Sequence, residues 1–162
     1  MDANWLDDQE ISAWLRLVAV VELLPGVLDA QLRRDAALSH FDYQVLAMLS
    51  EAPERTLRMA ALASLTNATL PRLSHVVGRL EGRGLVERRP CAEDRRATNA
   101  SLTAEGWSKI VETAPGHVST VRHNVIDALD RRQVKQLRDI CESILDRIDP
   151  DGSRTAAYRR PG

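Results

Sequence analysis

Aromatic side chains are nearly missing from this 162-residue chain: they make up 4% of it, with a single Phe. That scarcity, beside 28% charged residues, argues against a β-sandwich and for a helical, solvent-exposed and oligomeric protein. Cysteine is as sparse. Cys91 and Cys141 are too few for a disulfide or zinc framework. The four histidines are scattered, and His117 and His123 stand off one helical face, so neither a metal site nor a cofactor is expected. Glycine-rich phosphate loops and paired carboxylates are missing too. Ser74 and His75 are adjacent and cannot face each other along a helix, which leaves catalysis without support. The first residues are acidic and polar, with no basic segment leading into an apolar run, so no secretion signal is expected. The most apolar run, 15–24, is interrupted by Arg16 and Glu22 and stopped by Pro25, so no membrane span is expected either. These absences point to a soluble, cytoplasmic protein.

What is present is charge of one sign in one place. The chain as a whole carries −1, yet residues 55–96 hold nine arginines against Glu81, Glu87, Glu93 and Asp94. That segment is +5 and the remainder −6, the footprint of a phosphate-facing surface on an otherwise acidic protein.

Periodicity supplies the frame. Ile11, Trp14, Leu15, Val18, Val21, Leu24, Leu28 and Leu32 recur at helical spacing, with Pro25-Gly26 predicting a kink or a break between two helices. Ser39 can cap a helix carrying Phe41, Val45, Leu46 and Leu49, and Thr56 a short one through Met59, Leu62 and Ala63. Thr69 opens a further helix with Leu73, Val76, Val77 and Leu80 inward and Pro71 in its first turn; Gly82 and Gly84 end it. Leu85–Arg89 and Ala97–Leu102 read as two short strands around a polar turn at 91–94. Thr103 caps the next helix, interrupted or kinked at Pro115-Gly116 and continued by Val118, Val121, Val125, Ile126 and Leu129. A last helix sets Val134, Leu137, Cys141, Ile144 and Ile148 on a narrow seam.

Two helices joined by a brief turn, followed by an arginine-tipped hairpin, make a nucleic-acid reading head. At this point the sequence resembles the winged-helix regulators of the MarR family. The residues that carry the resemblance are Phe41 to Leu46, Leu62-Ala63, Leu73 to Leu80, Glu81 and Gly84-Leu85-Val86-Glu87-Arg88. The wing signature Asp94-Arg95-Arg96-Ala97 and the closing Leu102-Thr103-Ala104-Glu105-Gly106 complete it. The specific motifs cover residues 38–106, and the flanking helices match in pattern only. The fold expected is mainly α with a small β-hairpin wing. N-terminal dimerisation helices (1–37), a winged helix-turn-helix domain (38–106), C-terminal dimerisation helices (107–148) and a disordered tail (149–162) follow in order. The tail carries Arg154, Arg159 and Arg160.

Roles follow residue by residue. Arg72, His75 and Arg79 point outward from the second helix of the head, with Pro71 and Ser74 near its leading end. Arginine can pair bidentately with guanine, and Ser or His can bond bases or phosphates. Thr69 leaves helix N–H groups facing a phosphate. Arg95 and Arg96 are candidates for the minor groove, Arg88 and Arg89 for phosphates at the wing's base. The resemblance implies that Asp94 braces a wing arginine. It also implies a homodimer on a pseudo-palindromic double-stranded site, its two recognition helices one turn (~34 Å) apart. A small-molecule effector that releases the repressor from DNA is implied as well, with Trp14, His40 and Tyr43 as possible lining or as ordinary core. Cys141 on the apolar seam is expected to be buried and inert. Cys91 near the wing is expected to be exposed, its pKa lowered by Arg88, Arg89, Arg95 and Arg96. The competing reading is a winged-helix interaction or antagonist module without DNA binding, against which the arginine-bearing wing speaks.

Overall fold

The computed structural model describes residues 4–159. Asp7 and Glu10 form a capping box that opens α1 (Asp8–Ala36). This helix runs through Pro25 as one element, and α5 (Ala104–Asn124) does the same through Pro115. Neither proline divides its helix. Both are exposed, so water can take up the backbone acceptor each leaves unpaired. Pro25 therefore does not stop the apolar run as expected. By length and composition alone α1 could cross a bilayer, although its C-terminal part packs into the chain through Leu28, Leu32 and Ala36.

Ser39 and Asp42 form a second capping box, at the start of α2 (His40–Glu51). Thr56 does not cap a helix. It begins a strand, β1 (Thr56–Arg58), and α3 (Met59–Leu65) starts only after it. The pairing that makes it a strand lies far along the chain, with Thr56 opposite Ser101 and Arg58 opposite Asn99. The turn out of α3 places Asn67 at φ 51°, a left-handed conformation that Asn tolerates, and Thr69 caps α4 (Leu70–Gly82). Gly84, at φ 74°, lets the chain reverse: its N–H reaches the carbonyl of Glu81, and the N–H of Leu85 that of Leu80. Strands β2 (Val86–Pro90) and β3 (Thr98–Leu102) then pair antiparallel, completing a sheet of order β1-β3-β2. The core lies between this sheet and α2–α4, with Leu46, Leu49, Leu62, Leu73 and Val77 fully enclosed.

Thr103 caps α5, which ends at Asn124. Val125, Ile126 and Leu129 do not extend it; a single 3-10 turn leads instead to Asp130, the cap of α6 (Arg131–Ile148). Beyond α6 the chain folds back on itself as far as residue 159. Asp149 accepts hydrogen bonds from the N–H groups of Arg154 and Thr155 and from the Thr155 hydroxyl. Arg159 pairs with Glu142 and Asp146, and the Tyr158 hydroxyl meets Gln44 and the carbonyl of Leu65. Arg160 lies outside the described residues.

At the junction of α2 and α5 the Tyr43 and His117 rings lie 4.4 Å apart and the His40 and His117 rings 6.2 Å. Burial pushes both histidine pKa values down; the neighbouring His40 lowers His117 further, while Asp29 opposes the fall at His40. The unfolded chain therefore takes up these protons first, near pH ~6.5, and stability is lost as the pH falls below that value. Thermal unfolding followed from neutral pH down past that range should show a falling melting temperature, with a smaller fall in His117→Gln. An equal fall in both would remove His117 as a cause.

Gly106 sits where a side chain has no room. A Cβ there would stand 2.1 Å from the Leu85 carbonyl oxygen and 2.6 Å from Leu102 Cδ1. Gly106→Ala should destabilise the protein by about 2 kcal/mol, the usual size of overpacking. Circular dichroism melts should then show a drop of roughly 5 °C, and unchanged melting would refute the clash.

Candidate nucleic-acid interface

The recognition helix is amphipathic because its apolar residues fall on one stripe. Leu73, Val76, Val77 and Leu80 are buried, and Arg72, His75 and Arg79 are exposed, as their spacing predicts. Thr69 and Pro71 stand exposed at its leading end, where the Thr69 hydroxyl accepts the N–H of Arg72 at 3.3 Å.

Two of the outward arginines already have partners on α2. Arg79 Nη2 donates to Asp42 Oδ1 at 2.7 Å, and the Asp42 side chain is only 9% exposed. The Arg72 guanidinium lies 4.2 Å above the centre of the Phe41 ring. Phe41 and Asp42 were not foreseen as part of the site. The sequence marked them only as the start of a capped helix and as part of the stretch that resembles the family, and the contacts span more than thirty residues of chain.

Arg88 is not free at the base of the wing. Its backbone N–H and Nη2 both reach Glu81, at 2.8 and 3.1 Å, and Nη1 donates to the Ser74 hydroxyl at 3.2 Å. Its Nη2 also lies 3.5 Å from where a Cβ on Gly78 would stand, an ordinary packing distance. The backbone N–H and then the side chain of Arg88 hold the Glu81 carboxyl below its usual pKa. Arg88 and Ser74 thus join the wing to the recognition helix. Arg89 makes an exposed pair with Glu87, of little energetic weight.

At the wing tip Arg95 and Arg96 are exposed, and neither pairs with an acid among the described residues. Asp94 accepts the backbone N–H of Arg96 at 3.0 Å, and its own carbonyl accepts that of Ala97 at 3.0 Å. It shapes the turn that presents Arg96 and does not hold the guanidinium. Within the single chain Cys91 is buried and Cys141, on the α6 stripe, is exposed. The Cys91 pKa is lowered by the N–H groups of Glu93 and Asp94 and then by Arg58, not by the wing arginines.

A crevice of about 1000 Å³ opens between α1, α2 and α4. His40 lines it. Tyr43, turned toward His117, and Trp14, 55% exposed on α1, do not. Its charged walls include Arg33, Arg72, Arg79 and Arg83 against Asp29 and Asp42, a combination assembled from three separate stretches of chain.

Residues 38–97 match the family model for the MarR family. The HTH-type transcriptional repressor YetL of Bacillus subtilis (strain 168) is 31% identical over 136 residues, which cover 76% of this chain and 81% of the relative. Sco3205, a MarR family transcriptional regulator from Streptomyces coelicolor solved in complex with DNA, is similar at a TM-score of 0.88 and 41% identity. The match covers 93% of this chain and 94% of that one. AbsC, a MarR family regulator also from Streptomyces coelicolor, aligns at 0.86 and 34% identity, over 92% and 100% of the two chains.

Proposed function

The chain belongs to the MarR family, and we propose that it acts as a homodimeric repressor whose wing arginines and recognition-helix face bind an operator. It is a DNA-binding regulator of transcription. Its domain of residues 38–106 is the reading head, with α1, α5 and α6 as the dimerisation frame. The observation that carries the reading is the pair Arg95 and Arg96: exposed, without an acidic partner among the described residues, and set at the tip of a hairpin beside an amphipathic helix. Arginines so placed suit a narrow minor groove, while Thr69, Pro71, Arg72 and His75 face the major groove.

The dimer reading rests on unburied apolar surface. Trp14, Leu15, Val21 and Leu23 of α1 are exposed, as are Ile140, Ile144 and Ile148 of α6, and α6 buries none of its residues within the chain. A second copy of the same helices would cover both stripes. The crevice beside α2 is the place where a small effector, anionic to suit its arginines, would be held.

A mobility-shift titration tests the reading. Operator fragments are selected from genomic DNA with the wild-type protein, and Arg95→Ala/Arg96→Ala is then titrated beside it. The double variant should bind at least about tenfold more weakly, with a shallower dependence on salt because fewer cations meet the DNA. Unchanged affinity would sink the wing assignment. Failure of the wild type to enrich any fragment would favour an interaction module instead.

A further inference from the structure

We propose that the first turn of α2 sets the sequence readout: Phe41 and Asp42 act as positioning residues that orient Arg72 and Arg79 of the recognition helix. The inference rests on the reading that this helix faces DNA. Neither α2 residue would touch a base.

The two contacts are built alike. Each joins a mobile arginine to a side chain that is itself immobile. Phe41 is packed against the hydrophobic core, so its ring is a fixed platform under the Arg72 guanidinium. Asp42 is held by its own helix, because Oδ2 accepts the backbone N–H of Ser39 at 2.8 Å while Oδ1 receives Arg79. One carboxylate thus caps α2 and fixes an arginine 37 residues away. Both arginines remain exposed, so the contacts limit their direction without hiding them.

The consequence lies in arginine's geometry. The guanidinium is planar, with its N–H donors in the plane, so stacking one face on Phe41 leaves the donor edge free. A bidentate pair with guanine needs that edge aimed at the base. Without the platform Arg72 must be ordered on binding, and the ordering cost falls on the one contact that discriminates. Arg72 stands in the first turn of α4, the part of a recognition helix that meets base edges, whereas Arg79 stands in its last turn. Arg72 is therefore the base reader, and Arg79, tied to α2 by Asp42, offers its remaining N–H groups to a phosphate.

The test compares binding to the selected operator with binding to a set of single-base variants of it, using the full chain. Arg72→Ala should lose discrimination at one base position by about tenfold. Phe41→Leu should lose about threefold at that same position, the weight of an exposed cation–π contact, and Phe41→Tyr should restore it. Phe41→Leu should change nothing further once Arg72→Ala is present. Asp42→Asn should weaken binding to all sequences alike, by less than Arg79→Ala, and should add no loss once Arg79→Ala is present. Circular dichroism melts confirm that each variant is folded. A Phe41→Leu protein that discriminates like wild type while Arg72→Ala does not would overturn the proposal. So would a loss in Phe41→Leu spread evenly over all sequences, or a Phe41→Tyr that fails to restore it. If the wild type itself selects no fragment, the DNA-binding reading falls first and this inference falls with it.

Discussion

One stripe of α4 governs the rest of the head. Burying Leu73, Val76, Val77 and Leu80 contributes roughly 1.5–3 kcal/mol for each side chain, an upper range because an unfolded chain is already partly compact. No ion pair on the surface competes with that: exposed pairs are worth up to about 1 kcal/mol. Packing thus fixes which face of α4 looks outward, and the charged contacts only adjust the side chains on that face. The strands obey the same constraint, since Val86 and Leu102 lie opposite each other and are buried with the stripe.

What could be read from the sequence divides along this line. Caps are local, so Ser39, Thr69 and Thr103 announce their helices within three residues. The inward stripe of α4 is local too, being a matter of spacing. Strand β1 is not: three residues carry no periodicity, and Thr56 is a strand residue only because Ser101 arrives beside it. Thr56 hydrogen-bonds the Ser101 hydroxyl at 2.8 Å, a role that a capping Thr resembles in sequence and not in space. Whether the prolines divide their helices turns on a related point. Their cost depends on whether water reaches the unpaired carbonyl, and exposure is a property of the folded chain.

The positive charge of the head was visible at once, but its division was not. Of the arginines between 55 and 96, Arg58, Arg79, Arg88 and Arg89 stand within ion-pair distance of carboxylates. Arg88 in particular serves the architecture, tying Glu81 and Ser74 of the helix to the strand that leads into the wing. Counting charges found the surface; only the pairing separates the arginines that build the head from those left to meet another molecule. Arg95 and Arg96 belong to the second group: both are exposed at the turn shaped by Asp94, and neither meets an acid among the described residues.

Arg72 and Arg79 belong to neither group cleanly. They face outward and also line the crevice between α1, α2 and α4, together with the Phe41 and Asp42 that hold them. A site for a small anion and a site for DNA would then share the same two guanidinium groups. Differential binding needs a contact that changes between the two states, and a carboxylate in the crevice would compete directly with Asp42 for Arg79. Release of DNA would then require no long path through the protein. Drawing Arg79 away from Asp42 would weaken the hold on DNA, and drawing Arg72 off the Phe41 ring would spoil the readout.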